Sequence, residues 1–128
     1  MPPEFVYAEP DFEAQIEILA PELGGRSVPA RNQLRWDFAY ANDAGYAIGG
    51  TPLDLFMIYP NFLTATGHPL SKEAPISGTM NAHMHIVLRD RLPVHQGLIK
   101  VGTRFNCHEG AHIVAKGVVT RLIGLAQI

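Results

Sequence analysis

The chain has 128 residues, 47% of them hydrophobic and 17% charged, with a net charge of −2 and a single cysteine. A globule of this length hides roughly two thirds of its unfolded surface and can build a core unaided, and the composition lies far from the low-hydropathy, high-charge regime of disordered chains. Cys107 alone excludes an internal disulfide and a multi-thiolate metal site, no window approaches the run of about 18 apolar residues that spans a bilayer, and the negative balance speaks against nucleic-acid binding driven by overall charge.

The opening Met1-Pro2-Pro3-Glu4 has neither a basic n-region nor an apolar h-region. Together with the lone thiol it predicts a cytoplasmic protein without membrane segments. Six acidic residues (Glu4, Glu9, Asp11, Glu13, Glu17 and Glu22) precede the first basic one, Arg26, so residues 23–128 carry 10 basic against 6 acidic side chains. One face is therefore free to be basic.

The first periodic segment, Phe12 to Leu19, reads two ways. Phe12, Ala14, Ile16 and Ile18 share one face of a strand, whereas Phe12, Ile16, Leu19 and Ala20 fit a helical stripe behind an Asp11 cap. Leu34 to Tyr40 alternates cleanly, with Leu34, Trp36, Phe38 and Tyr40 on one side and Arg35 and Asp37 on the other, and predicts a strand. Residues 49–75 are the least regular stretch. There Leu53 to Tyr59 is an apolar run stopped by Pro60, open to strand or short helix, and Leu55, Phe56, Ile58, Tyr59 and Phe62 either extend the core or pair chains through an exposed patch.

Met80 to Leu88 alternates with Met80, Ala82, Met84, Ile86 and Leu88 apolar, which puts Asn81, His83 and His85 on the opposite face. From Ile99 to Cys107 the apolar set is Ile99, Val101, Phe105 and Cys107. Ile113 to Ile123 is rich in Val and Ile but irregular around Gly117, as for a strand covered on both faces or bulged at the glycine. Short strands separated by Gly and Pro, with little helix, predict a sandwich or closed barrel.

Three stretches in order resemble the C-terminal domain of elongation factor Tu. Phe12 to Leu19 leading into Gly24-Gly25-Arg26-Ser27-Val28-Pro29 is similar to that domain's first strand and Gly-Gly-Arg-x-x-Pro turn. Leu34-Arg35-Trp36-Asp37-Phe38 stands where the family has Tyr-Arg-Pro-Gln-Phe. Arg104-Phe105-Asn106-Cys107-His108-Glu109-Gly110 through Gly117-Val118-Val119 is similar to its Arg-Phe-x-x-Arg-Glu-Gly hairpin and last strand. With Leu92-Pro93-Val94 and Gly97, the likeness covers most of residues 12–123, and the Gly97 to Gly102 stretch resembles small bacterial proteins made of this barrel alone. It implies a single six-stranded closed antiparallel β-barrel over residues 12–128, after an N-terminal extension of residues 1–11 and with an inserted loop at about 49–75. It also makes residues 12–19 a strand.

In the family this barrel helps hold aminoacyl-tRNA and packs on a GTPase domain. Here no Gly-x-x-x-x-Gly-Lys-Ser/Thr loop exists to cradle a nucleotide. The hairpin's two arginine positions read His108 and His112, and neutral histidines make weak phosphate contacts at pH 7. The resemblance implies a non-enzymatic, translation-factor-like binding module for a protein or tRNA-like RNA, free of nucleotide and cofactor and open to homodimerisation. Its candidate contacts are Arg26, Arg35, Arg104, His108, His112 and Lys116.

The rival is a small metal-binding protein or metal-dependent hydrolase. His108-Glu109-Gly110-Ala111-His112 spells the His-Glu-x-x-His string of zinc hydrolases, and His83 with His85 is a second pair on one strand face. The zinc chemistry needs a helix, and Gly110 followed by β-branched Ile113 and Val114 argues against one. No metal site is therefore assigned. Cys107 falls on the apolar side with Phe105 and reads as a small hydrophobe. Ser27, Ser71 and Ser77 read as turn residues.

Overall fold

In the first strand, Phe12, Ala14 and Ile16 are each wholly buried, while Gln15 and Glu17 between them are exposed. That period of two settles residues 12–18 as a strand, not a helix. The structure is a computed structural model, and it describes residues 9–20, 30–32, 35–41, 56–88, 90, 92–109 and 112–127. Its elements are β1 (Phe12–Ile18), β2 (Ala30–Arg31), β3 (Asp37–Tyr40), β4 (Ile58–Phe62), β5 (Pro75–Ile76), β6 (Thr79–Ile86), α1 (Leu92–Leu98), β7 (Arg104–Glu109) and β8 (His112–Leu122), followed by a 3-10 turn at Gly124–Gln127. The Gly24-Gly25-Arg26 turn, Leu34, Leu53 and Leu55 lie outside the described residues.

Six strands form one antiparallel sheet in the order β3-β7-β8-β1-β6-β4, and β2 pairs with β5 in a small second sheet. The inner face gathers Phe12, Ile16, Trp36, Phe38, Phe62, Met84, Phe105, Cys107 and Val119 into one core. Phe38 stacks on Phe105 at 4.5 Å and meets Phe12 and Tyr40 edge-on. Burying aromatic area of this kind dominates the energetics of a small β core.

The expected closed barrel is corrected to a half-barrel: the sheet curls, but its edge strands β3 and β4 do not join along their length. Among the described residues they are linked by one bridge, in which Phe38 and Phe56 exchange hydrogen bonds of 2.9 and 2.8 Å. The reason lies in β4. The Phe62 N–H and C=O face away from β6, the N–H donating to Asn32 Oδ1 (2.7 Å) and the carbonyl accepting from Leu70 N–H (2.9 Å). With period two, Pro60 turns its own nitrogen to the same edge, and proline has no N–H to give a ladder. Asn32, 3% exposed, takes the place of a neighbouring strand by also donating to Asn61 Oδ1 and to the Phe62 and Leu70 carbonyls.

Three further expectations change. The stretch from 49 to 75 is no loop outside the sheet, since Ile58–Phe62 is its edge strand and Ile58, Tyr59 and Phe62 are buried. The strand expected from Ile99 begins only at Arg104: residues 92–98 are helical, Ile99 is buried at the end of α1, and Val101 is 66% exposed in the following turn. Leu88, expected on the apolar side of β6, lies past the strand end and is exposed.

Asp11 caps a strand and no helix. Its Oδ2 accepts the Ile86 N–H at 2.8 Å, while its own N–H donates to the Met84 carbonyl at 2.9 Å. A buried carboxylate thereby satisfies the donor that β1 is too short to reach.

The irregularity around Gly117 is a packing feature. The register shifts fall between Glu13 and Ala14 and between Cys107 and His108, not at Gly117. Gly117 pairs with Phe105, whose ring lies over it so closely that an added Cβ would overlap the ring atoms. We expect Gly117→Ala to destabilise the fold by about 1–3 kcal/mol, the usual cost of overpacking, as read by urea unfolding. Combining it with Phe105→Leu should recover part of that loss, because the smaller side chain vacates the space over position 117.

Candidate functional site

β7 and β8 form a hairpin in which Glu109 pairs with His112 and His108 with Ile113. Successive strand residues point to opposite faces, so His108 and His112 project on opposite sides of the sheet. The His-Glu-x-x-His string is thus spread over two strands and its imidazoles cannot close on one ion; Gly110 and Ala111 lie outside the described residues. The glutamate is engaged elsewhere, its Oε2 accepting the Trp36 indole N–H at 2.9 Å. Among the described residues no group of three or more His, Cys, Asp or Glu side chains stands ready to hold a metal.

His83 and His85 do share the outer face of β6, but in different surroundings. His83 is partly exposed, with Nε2 3.4 Å from Glu13 Oε1. His85 is 3% exposed and lies across from Tyr59, so that pair is not the solvated strip its alternation suggests.

The six candidate contacts do not converge on one point. Arg26 lies outside the described residues. Arg104 and Lys116 are exposed, and the pairings Arg104–Val118 and Asn106–Lys116 make them diagonal neighbours on the outer face. Arg35 and His112 are exposed towards the other end of the sheet, near the hairpin turn. His108 is only 2% exposed, so its side chain is held within the fold and is not presented at the surface.

Two outer-face residues complete the charged surface and were not singled out in the sequence. Arg121 Nη2 sits 3.0 Å from Glu13 Oε1, and Glu17 pairs across from Lys116. The cations Arg104, Lys116 and Arg121 thus lie on β7 and β8 beside the carboxylates of β1, Arg121 opposite Glu13 and Lys116 opposite Glu17. The period of Phe12–Leu19, open to strand or helix, did not by itself assign these carboxylates to a face. Which cations they meet depended on the pairing register, which no local pattern encodes.

The inner face is sealed. Cys107 is buried among apolar side chains, and that burial pushes its thiol up to about 12. Tyr40 is raised by the same desolvation, and its hydroxyl shares a 2.6 Å hydrogen bond with Nδ1 of the buried His95. His95 also meets Phe56 edge-on at 4.8 Å, which seats α1 on the end of the half-barrel. No helix among the described residues is long and apolar enough to cross a membrane. No protein-family model matches the chain, and no curated protein matches it significantly.

The raised pKa values of Cys107 and Tyr40 lead to a prediction for alkaline pH. Above the ordinary value of 9.0 for Cys107 and 10.0 for Tyr40, the unfolded chain releases protons that the native state retains. Stability is then full below about pH 9 and falls as pH rises towards 12. Urea midpoints measured from pH 7 upward should show this decline, and Cys107→Ala combined with Tyr40→Phe should flatten it. Native Cys107 should also resist thiol reagents until denaturant is added.

Proposed function

We propose that this chain is a non-enzymatic binding module related to the elongation factor Tu C-terminal domain, with no nucleotide-cradling loop in its sequence, acting in the cytoplasm. Its partner docks on the outer face of β1, β7 and β8. One observation carries the reading: the exposed Arg104, Lys116, Arg121 and Glu17 and the half-buried Glu13 lie together on that face, while the buried thiol and phenol are held in their protonated, unreactive forms. A row of carboxylates beside a row of cations suits a protein surface of complementary charge. A phosphate backbone calls for cations without neighbouring carboxylates, so RNA is the second choice.

The test uses Arg104→Glu/Lys116→Glu, both surface positions. A protein retained from cell extract by the wild-type chain should be lost from the double variant, with purified partner binding weakened by at least about tenfold, as for charge reversal at complementary rims. Anisotropy titration with tRNA over a salt series should show weak binding. Tight tRNA binding whose log–log salt slope falls by about one per removed cation would transfer the reading to RNA. Failure to bind either partner, or equal binding by the double variant, would remove its support.

A further inference from the structure

All the large apolar side chains exposed among the described residues sit at one end of the half-barrel. Met57, Val87, Leu88, Val94, Leu98 and Val101 are each 39–66% exposed. The Val87 N–H donates to the Met57 carbonyl at 2.9 Å where β6 ends and β4 begins. Val94 and Leu98 stand one turn apart on α1, and Val101 follows in the turn into β7.

The helix packs Leu92, His95 and the following Ile99 on the core, yet its aliphatic Val94 and Leu98 face out. The outer side of an amphipathic helix is normally polar. Nothing among the described residues accounts for Gly97: it lacks a positive φ, and a Cβ there would meet nothing within 4 Å. A mid-helix glycine weakens a helix relative to alanine, so its presence beside Leu98 makes sense where another backbone comes close.

The two described charges that flank this ridge are of opposite sign. Asp90 and Lys100, both exposed, lie two residues beyond the two ends of α1; Arg89 and Arg91 fall outside the described residues. Two such helices laid antiparallel about a two-fold axis bring Asp90 of each copy to Lys100 of the other. A two-fold contact requires this self-complementarity, because one patch serves both sides. Six half-exposed aliphatic side chains offer a patch on the order of 500 Å², towards the upper end of what monomers display. Two patches reach the threshold of about 1,000 Å² for a specific interface.

We infer that the chain pairs with a second copy of itself through this end, the two α1 helices crossing antiparallel at Val94, Gly97 and Leu98 with Asp90–Lys100 pairs at the rim. The inference is independent of the binding role assigned to the outer face, which uses other residues.

Sedimentation velocity on the full chain over a concentration series should give a monomer–dimer equilibrium. Leu98→Glu should raise the dimer Kd by at least about tenfold, as for a central apolar contact, with the far-ultraviolet circular dichroism unchanged. Asp90→Lys should weaken the dimer, and adding Lys100→Asp should restore it. Gly97→Ala should raise the monomer melting temperature while loosening the dimer, a combination that a purely intramolecular role cannot produce. A wild-type chain that stays monomeric at every concentration overturns the inference and leaves this end to a different occupant. A dimer indifferent to both Leu98→Glu and the charge exchange overturns it as well.

Discussion

Everything on the surface of this protein is placed by the double pairing of β1. That strand runs between β6 and β8, and its inner side chains Phe12, Ala14 and Ile16 have no solvent exposure. A slip of one residue against either neighbour would carry Glu13, Gln15 and Glu17 into the core. Inserting carboxylates there without partners costs far more than the fold's marginal stability can absorb. The register is therefore forced, and with it the outer-face pairs Glu13–Arg121, Glu13–His83 and Glu17–Lys116. Individually, such partly exposed ion pairs add little stability. Their importance is positional: they are where they are because the apolar face permits no alternative.

The same constraint explains how much could be read in advance. Strands with one face in the core announce themselves by alternation: β3 and β6 were legible from Trp36–Tyr40 and Met80–Ile86, and β8 less cleanly from Ile113–Leu122, whereas the Phe12–Leu19 period fitted a helical stripe equally well and only the resemblance made β1 a strand. β4 hid because all five of its residues are buried, which erases the period, and because Pro60 looks like a terminator. α1 hid for the opposite reason: seven residues with histidine inside and valine and leucine outside carry no conventional stripe. At the candidate site, the outward placement of Arg35 and Arg104 followed from alternation, whereas the exposure of His112 and Lys116 and the burial of His108 did not. Tertiary cover, unlike strand periodicity, leaves no trace in neighbouring residues.

The difference between a closed barrel and the half-barrel comes down to a few backbone groups. Closure needs a continuous run of donors and acceptors on both edge strands. β3 is four residues long, and β4 turns a proline nitrogen and the Phe62 amide towards the gap. The Phe62 amide and carbonyl are satisfied by Asn32 and Leu70, and a side-chain amide does the work of a strand at that edge. Asp11 does the same for Ile86 at the end of β1. Polar side chains buried at strand ends thus replace missing ladder partners, and the sheet keeps its backbone satisfied without becoming a ring.

This arrangement separates the molecule into surfaces of unlike character. The outer face of β1, β7 and β8 is charged and fixed by register, whereas the α1 end exposes aliphatic side chains between Asp90 and Lys100. A core that already buries Trp36, Phe12, Phe38, Phe62 and Phe105 gains nothing by leaving Val94, Leu98 and Val101 in water. Nor does a helix of seven residues, too short to be stable alone, obtain its hold on the sheet from them. That hold comes from Leu92, His95 and Ile99, through the Tyr40 hydrogen bond and the Phe56 ring. Among the described residues the outward aliphatic side chains thus add nothing to the seat of α1, which leaves them free for the contact between copies inferred above.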